Sequence, residues 1–261
     1  MDKELRPKER FSGLADVYAK ARPGYPDEVI DFVLRHCHLK TGDVLIDIGS
    51  GTGISSRVFS KRGLKVIGIE PNEEMRKHAL VINNELEKTT NQLPIYQSGS
   101  GEETGLPDHF ADAVLSAQAF HWLDPEKALA EFARILKPNG RVILIWNEGD
   151  YSDTFTKDYH DLVRRYSTKD LKTVVELRKD GGRPLLESKL FSQGEEFIFA
   201  NEQILDEQGL LDRALSISYL SKDPAVQEAL ISDLKELFQQ KQDNGFVILK
   251  YNLELYAACC P

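Results

Sequence analysis

Asp47-Ile48-Gly49-Ser50-Gly51-Thr52-Gly53 follows directly on the apolar run Val44-Leu45-Ile46. A second apolar run, residues 65–69, ends at Glu70. A glycine-rich turn after a strand allows backbone amides to approach a ligand closely, because no side chain stands in the way. An acidic residue at the tip of the next strand accepts hydrogen bonds from the two hydroxyls of a ribose. Together the two features predict a nucleoside-containing ligand at the carboxyl ends of parallel strands.

The spacing of these glycines distinguishes between kinds of nucleoside ligand. A dinucleotide site has the pattern Gly-x-Gly-x-x-Gly, in which the third glycine allows helix and strand to pack around a pyrophosphate. If the pattern starts at Gly49, its third glycine would have to be at position 54, which is Ile54. If it starts at Gly51, the third glycine would have to be at position 56, which is Ser56. A nicotinamide-dependent oxidoreductase is therefore a weaker alternative.

Apolar strands and amphipathic helices alternate along the first 149 residues. Helix starts are predicted at Asp27 after Pro26, at Asn72 and at Asp124. The predicted strands are 44–48, 65–70, 93–98, 111–117 and 141–147. Such alternation with short apolar strands predicts an α/β fold built on a parallel, doubly wound sheet.

The alternation stops after Gly149. Residues 150–190 are charged and helical in pattern, and we interpret them as a helical lid over the strand tips, with a solvated helical bundle as the alternative. The chain is thus divided into a core at 1–149, a lid at 150–190 and a C-terminal part at 191–261 that completes the sheet.

The C-terminal part contains two further predicted strands and two predicted helices. The last strand is entered through the turn-like Asp243-Asn244-Gly245 and is predicted to join the sheet in the antiparallel direction. The predicted elements are strand 195–200, helix 209–220, helix 224–242 and strand 246–255.

Residues 47–53 resemble the first motif of class I S-adenosylmethionine-dependent methyltransferases. Residues 99–107, 117–122 and 136–140 look like the branch known as methyltransferase domain 11. Within that branch, residues 18–26 and 209–219 resemble the trans-aconitate methyltransferase-like subset. The resemblance implies a Rossmann-like fold with a seven-stranded, mostly parallel sheet whose last strand is antiparallel. It also implies S-adenosyl-L-methionine as cofactor and S-adenosyl-L-homocysteine as product.

The resemblance assigns residues to a methyl-donor site. Asp47 and the loop glycines are expected to hold the methionine part of the donor, Glu70 its ribose, and Glu102 with the backbone around it the adenine. The expected donor contacts are Tyr18, Arg22, Asp47, Gly49, Ser50, Gly51, Gly53, Glu70, Pro71, Met75, Gly101, Glu102, Ala117 and Gln118.

His121 is the candidate general base, because it follows the carboxyl end of a strand and a histidine titrates near neutral pH. The alternative is that it packs beside Trp122 and shapes the adenosyl pocket. The expected acceptor contacts are Tyr25, His121, Trp122, Trp146, Asn147 and Tyr219.

Two arginines allow more than one interpretation. Arg22 precedes Pro23, which favours an extended backbone, and it either neutralises a carboxylate of the donor or acceptor or is a solvated loop residue. Arg213 and Tyr219 are six residues apart on a predicted helix, so we expect them not to form a pair.

Composition limits the partners. The chain of 261 residues has a formal net charge of −9 and lacks a dense Lys/Arg stripe, which argues against nucleic acid as substrate. No apolar run reaches the length of a membrane span, and the charged N-terminus lacks a signal segment. The three cysteines form neither a disulfide framework nor a metal-ligand pattern. We expect a cytoplasmic monomer or weak homodimer without metal, nucleic-acid or membrane partners.

The leading functional hypothesis is methyl transfer to a small molecule, with a carboxylic acid as one candidate acceptor. A carboxylate is ionised at neutral pH and needs no base, whereas a hydroxyl acceptor benefits from one. A donor-binding regulator without catalysis and a protein acceptor remain open, because the matched motifs concern binding more than chemistry.

Overall fold

The computed structural model describes residues 21–86, 92–168 and 170–261. A seven-stranded sheet organises these residues. The strands are β1 Val44–Ile48, β2 Lys65–Ile69, β3 Ile95–Gln97, β4 Ala111–Ala117, β5 Leu136–Gly149, β6 Ser192–Leu205 and β7 Val247–Cys259. Their spatial order is β3-β2-β1-β4-β5-β7-β6. The pairs from β3 to β5 are parallel, whereas β7 is antiparallel to both β5 and β6. The predicted α/β fold with an antiparallel last strand is confirmed.

Helices cover both faces of the sheet and fill the segment after β5. They are α1 Asp27–His36, α2 Ile54–Lys61, α3 Glu73–Leu86, α4 Pro125–Ile135, α5 Thr154–Arg165, α6 Asp170–Arg178, α7 Arg183–Leu186, α8 Glu207–Leu215 and α9 Pro224–Lys241, with a 3₁₀ turn at Phe120–Trp122. Within the described ranges no helix combines the length and apolarity that crossing a bilayer requires.

Three buried clusters form the core. Successive residues of a strand point to opposite faces, so Ile46 packs with Phe132 of α4 on one face while Leu45 packs with Phe59 of α2 on the other. The third cluster joins α5, α8, α9 and the start of β7 and includes Tyr159 and other buried side chains of these elements. This third cluster fixes the C-terminal helices beside the carboxyl ends of the parallel strands.

Two helix starts have the side-chain caps that the sequence predicts, and one does not. The Asn72 carboxamide oxygen accepts a hydrogen bond from the Met75 amide at 3.0 Å, and Asp124 caps α4 ahead of Pro125. At α1, however, Pro26 takes the N-cap position and Asp27 is the first helical residue. The Asp27 carboxylate instead forms an ion pair with Arg62 at 2.8 Å.

The edge strands differ most from the sequence-based prediction. Strand β6 extends to Leu205, because the polar residues Asn201–Gln203 keep their backbone pairing with β7 at the edge of the sheet. Strand β3 is shorter than predicted and begins after Pro94, which has no N–H to donate. Strand β5 begins at Leu136, directly after α4, so its turn-like residues also pair with their neighbours.

Helix α8 ends earlier than the predicted boundary at residue 220. The hydroxyl of Ser216 donates to the Arg213 carbonyl at 2.7 Å, and this local hydrogen bond competes with further helix formation. The helix therefore stops at Leu215. Tyr219 lies in the turn that follows, where helical spacing no longer separates it from Arg213.

Candidate active site

The loop after β1 has a backbone conformation that depends on glycine. Gly49, Gly51 and Gly53 have φ angles of 68°, 54° and 81°, in the left-handed region that favours glycine. A Cβ atom at Gly49 would lie 2.5 Å from the Cβ of Ala119, whereas a Cβ at Gly51 would have only the Gly49 carbonyl oxygen near it, at 4.0 Å. The backbone of Gly51 is thus open to a ligand that lies over the loop.

Asp47 supports this loop from below. The side chain is fully buried, and its Oδ2 accepts hydrogen bonds from the hydroxyls of Ser55 at 2.7 Å and Ser56 at 2.5 Å. Burial raises the pKa of Asp47 from 3.8 to about 6, against the effect of these hydrogen bonds. The carboxylate ties β1 to the first turn of α2, and Asp47 does not line the cavity described below.

Glu70 links the tip of β2 to the loop. One carboxylate oxygen accepts the Gly51 amide at 2.9 Å, and the other accepts the Asn72 amide at 2.8 Å. Burial raises the pKa of Glu70, and the two amides oppose that shift. A carboxylate has about four acceptor positions, so each oxygen has capacity for one more donor. The side chain therefore fits the predicted role of binding a ribose diol.

Two hydroxyls of the loop are buried without a hydrogen-bond partner. They are the Oγ of Ser50 and the Oγ1 of Thr52, and both residues line the cavity. A buried polar group that lacks a partner destabilises a protein by about 1–3 kcal/mol. The pair is accounted for if a polar ligand over the loop supplies the missing hydrogen bonds.

A cavity of about 340 Å³ lies at the carboxyl ends of β1, β4 and β5. Helices α5 and α6 of the 150–190 segment and residues of α8 form its other walls. The predicted site residues that line it are Arg22, Tyr25, Gly49, Ser50, Gly51, Ala117, Gln118, Asn147 and Tyr219.

The remaining predicted site residues lie elsewhere. Tyr18 is outside the described residues. Glu102 accepts the Asp124 amide at 2.9 Å, and Trp122 and Trp146 are buried at 9% and 2% exposure. The predicted residues that do not line the cavity are Asp47, Gly53, Glu70, Pro71, Met75, Gly101, Glu102, His121, Trp122 and Trp146.

The sheet order separates most of the predicted donor residues from the predicted acceptor residues. Donor residues follow β1, β2, β3 and β4, which are four adjacent strands. Most acceptor residues lie at three places: His121 and Trp122 follow β4, Trp146 and Asn147 lie near the end of β5, and Tyr219 is in the turn after α8. Because adjacent parallel strands end at the same edge of a sheet, the donor set forms one continuous row with the acceptor set beside it.

His121 makes a hydrogen bond that constrains its proton chemistry. The indole N–H of Trp146 donates to His121 Nδ1 at 3.3 Å. An indole only donates, so Nδ1 carries the lone pair and the proton of the neutral ring is on Nε2. Burial, with Arg178 and Arg22 nearby, lowers the pKa of His121 well below its ordinary value. These contacts favour the pocket-shaping interpretation over the general base.

Hydrogen bonds from other parts of the chain hold the segment that carries Arg22 on both sides of this residue. Gln203 donates to the Ala21 carbonyl at 3.0 Å, and Asn201 donates to the Gly24 carbonyl at 3.0 Å and to the side-chain oxygen of Asn147 at 2.9 Å. Arg22 Nη2 donates to the Ser216 carbonyl at 2.9 Å. The polar side chains of β5 and β6 thus hold this segment as one wall of the cavity.

Helix α6 reaches the strand tips through Arg178. Its Nη2 lies 2.9 Å from the Gln118 side-chain oxygen and 2.5 Å from Glu148. Gln118 has a φ angle of 61°, which is a strained backbone conformation for any residue other than glycine. Such strained conformations are frequent at functional sites. Arg178 thus connects α6 to the carboxyl ends of β4 and β5, and the interpretation of residues 150–190 as a lid stays a prediction.

The cavity is cationic although the chain carries a net charge of −9. Glu148 is the one acidic side chain among the described lining residues. Burial raises the pKa of Glu148, which Arg178 opposes. The cationic lining residues are Arg22, Arg164, Arg178, Lys179 and Arg213.

Sequence reasoning did not predict the role of Arg213 in this cavity. Its side chain is 6% exposed, and its one hydrogen bond among the described residues is from Nε to the Tyr251 hydroxyl at 3.3 Å. Its Nη1 is buried without a partner. A signal was present, since Leu210, Arg213 and Ala214 fall at the i, i+3, i+4 spacing of an apolar helix face.

His160 indicates the electrostatic field in the same cavity. Burial, followed by the charges of Arg213, Arg164 and Arg178, lowers its pKa to about 3. The ring is therefore neutral, and its Nε2 is buried without a partner. The charges of the three arginines, which add to the effect of burial, favour anions over cations in this cavity.

Comparison with known proteins gives a consistent result. Residues 46–144 match the family described as Methyltransferase domain. An uncharacterized methyltransferase of Mycobacterium tuberculosis (strain ATCC 25618 / H37Rv) is 36% identical over 155 residues, which are 59% of this chain and 59% of that protein. The match thus spans about three fifths of the length of that curated relative.

Two solved structures share the fold. The YcgJ protein from Bacillus subtilis has a TM-score of 0.54 at 18% identity, covering 90% of this chain and 99% of that one. Phosphoethanolamine N-methyltransferase 2 of Haemonchus contortus, solved with S-adenosyl-L-methionine, has a TM-score of 0.53 at 22% identity, covering 98% of this chain and 58% of that one.

The matched family, the strand order and the glycine loop above β1 agree with one another. Residues 46–144 are thus similar to methyltransferase domains, and the fold that contains them is shared with the two solved structures.

Proposed function

We propose that the protein transfers a methyl group from S-adenosyl-L-methionine to a small-molecule acceptor that binds in the cavity beneath α5 and α6. The observation that carries this proposal is the position of the cavity. One wall is the glycine loop with Ser50 and Thr52, and the opposite walls are the helices of the 150–190 segment. A donor over the loop and an acceptor under the helices would thus share one enclosed space.

The donor side fits the proposed ligand in three respects. Glu70 has acceptor capacity for a ribose diol, Gly51 leaves open space over its backbone, and two loop hydroxyls lack partners. No third glycine accommodates a pyrophosphate, which favours a phosphate-free adenosyl compound over a dinucleotide. When bound, S-adenosyl-L-methionine supplies an activated methyl group on a sulfonium.

The protein then has to position the acceptor and exclude water. Holding two reactants in a near-attack geometry supplies about 7–11 kcal/mol of a barrier. Arg178 connects α6 to Gln118 and Glu148, so the covering helix is fixed over the strand tips. We assign this contact the role of closing the cavity above the acceptor.

A carboxylic acid is the acceptor class that we favour. Five cationic side chains line the cavity against one acidic side chain, and the latter is already paired with Arg178. A carboxylate acceptor is ionised at neutral pH, which agrees with a site where His121 has its Nδ1 engaged by Trp146. Methylation of a carboxylate releases no proton, so no base is needed.

Methyl transfer can be measured with donor labelled in the methyl group. The purified protein is incubated with labelled donor and a panel of small carboxylic acids, with hydroxylated and amino compounds as parallel sets, and the products are identified by mass spectrometry. We expect a labelled methyl ester, absent when the Glu70→Ala variant is used. Saturable donor binding with no transfer to any compound or to added protein would contradict the proposed reaction.

A further inference from the structure

We propose that Arg213 binds an anionic group of the acceptor that does not itself receive the methyl group. The inference rests on the proposed function and adds a specificity-determining residue to it. The ligand class is a small acid with at least two functional groups. One is a carboxylate bound by Arg213, and the other is the nucleophile.

The first observation is that Arg213 is a buried cation without a counterion. Among the described residues no carboxylate lies within 4 Å of it, and its Nη1 is buried without a hydrogen bond. Three other cations that line the cavity are paired, Arg164 with Asp161 at 3.1 Å, Arg178 with Glu148 and Lys179 with Glu176. A buried charge is stable when an opposite charge compensates it. The missing partner of Arg213 is therefore expected to come from a ligand.

The second observation is the chemistry around Arg213. Tyr219 and Tyr251 line the same cavity, and the Tyr159 hydroxyl, which is close enough for the Arg213 charge to affect its pKa, is buried without a partner. Hydroxyls and a planar guanidinium fork suit a planar carboxylate, which accepts two parallel hydrogen bonds. The site thus matches a carboxylate better than a neutral group.

The third observation is the position of Arg213 relative to the donor loop. Its partner Tyr251 is on β7, and β7 lies three strands away from β1, which leads into the loop. At a spacing of about 4.8 Å between neighbouring strands, the two strands are about 14 Å apart. We expect the carboxylate of a donor over the loop to lie beside Ser50 and Thr52, so we assign the Arg213 anion to the acceptor.

The bound carboxylate is a poor nucleophile, because its oxygen lone pairs are engaged by a buried cation. The methylated atom must therefore be a different group of the acceptor. In the carboxylate acceptor of the proposed function this group is a second carboxylate, whose oxygen lone pair forms the bond to the methyl carbon while the electron pair of the carbon–sulfur bond leaves with the sulfur, and no proton is released. Arg213 takes no part in either change and acts by fixing the acceptor.

Binding of small carboxylates in the presence of saturating S-adenosyl-L-homocysteine tests this assignment. The probes are acetate, succinate, glutarate and benzoate, each paired with its neutral amide, and the readouts are thermal shift and calorimetry. In the wild-type protein we expect at least one carboxylate to bind while its amide does not. Arg213→Gln should weaken that binding at least tenfold and leave the affinity for S-adenosyl-L-homocysteine within twofold. Arg165→Gln removes an exposed cation from the neighbouring helix and should change neither affinity.

Three outcomes would overturn the assignment. They are equal carboxylate binding by Arg213→Gln, no carboxylate binding by the wild-type protein, and loss of S-adenosyl-L-homocysteine binding in the variant, which would make the donor the source of the anion. Arg213→Lys keeps the charge without the planar fork, so an intermediate carboxylate affinity is expected and the test survives if Arg213→Gln does not fold. Failure of the proposed function is separate, because it is measured as the absence of methyl transfer from labelled donor, whereas this experiment measures carboxylate binding alone.

Discussion

The Glu70 carboxylate accepts a hydrogen bond from the backbone amide of Gly51 at 2.9 Å. This contact joins the tip of β2 to the loop after β1, so the predicted ribose-binding residue and the predicted methionine-binding loop form one unit. Nineteen positions separate the two residues in the chain. The contact arises because β1 and β2 are parallel neighbours whose carboxyl ends meet at the same edge of the sheet.

Replacement of Glu70 tests the ribose assignment. Hydrogen bonds to a charged group contribute about 1.5–3 kcal/mol each, so Glu70→Ala should raise the Kd of S-adenosyl-L-homocysteine at least about 50-fold. Glu70→Gln keeps the shape and one acceptor oxygen and should have a smaller effect. Glu73→Ala, which removes an exposed acid paired with Lys77, is the matched control. Titration calorimetry measures all three, and a Kd unchanged in Glu70→Ala would remove the assignment.

Replacement of Gly51 tests whether the loop forms part of the ligand site. Gly51→Val should abolish donor binding, because its side chain would occupy the space over the loop. Gly245 has a similar positive φ angle of 86° and also faces open space, but it is outside the cavity lining. Gly245→Val should therefore lose a comparable stability, about 1–2 kcal/mol, and still bind the donor. Equal donor affinities in the two variants would show that the loop is not the site.

Asp47 should make stability depend on pH. Its pKa in the folded protein, about 6, lies above the ordinary 3.8, so the folded state binds the proton more tightly than the unfolded chain does. Its contribution to stability is thus greatest below pH 4 and decreases as the pH rises to about 6, by about 3 kcal/mol in total. Asp47→Asn removes this titration while an amide oxygen remains to accept from Ser55 and Ser56.

Urea unfolding at pH 4 and pH 7 of the wild-type protein and Asp47→Asn measures this contribution. The difference between the two proteins isolates Asp47 from the other titrating groups. We expect the variant to gain stability relative to the wild-type protein as the pH rises between the two values. A difference that does not depend on pH would contradict the buried-carboxylate account.

His121 should remain neutral through the physiological range. The hydrogen bond from Trp146 requires a lone pair on Nδ1, and burial lowers the pKa. Nitrogen NMR of histidine-labelled protein should show His121 protonated at Nε2 without titration between about pH 5 and 8. Trp146→Phe removes the donor and should change the His121 nitrogen signals. A His121 that titrates near pH 6.5 would restore the general-base hypothesis.

The parts of the fold that depend on local sequence were predictable. The run from Val44 to Gly53 contains its own strand, turn and helix start, and Asp124-Pro125 marks a helix start without help from the rest of the chain. The edges were harder to predict. Residues 201–203 are polar enough to look like a loop, but pairing with β7 keeps them in a strand.

The acceptor side was less predictable because distant segments build it. Glu148 is adjacent to the predicted strand 141–147, but its partner Arg178 is thirty positions later on a helix with a weak amphipathic pattern. Tyr219 and Arg213 reach the same cavity because α8 ends at Leu215, and a prediction that extends this helix to 220 separates them. The sequence did predict Tyr25, Asn147 and Tyr219 as acceptor contacts, whereas the one signal for Arg213 was an arginine on an apolar helix face.

The central claim is that the row of strand tips from β3 to β4 binds a phosphate-free adenosyl compound. The most direct test is titration calorimetry of the wild-type protein with S-adenosyl-L-methionine and its demethylated product, with NADH as the competing ligand. We predict saturable one-to-one binding of both adenosyl compounds and no heat from NADH. Saturation by NADH without binding of either adenosyl compound would contradict the account.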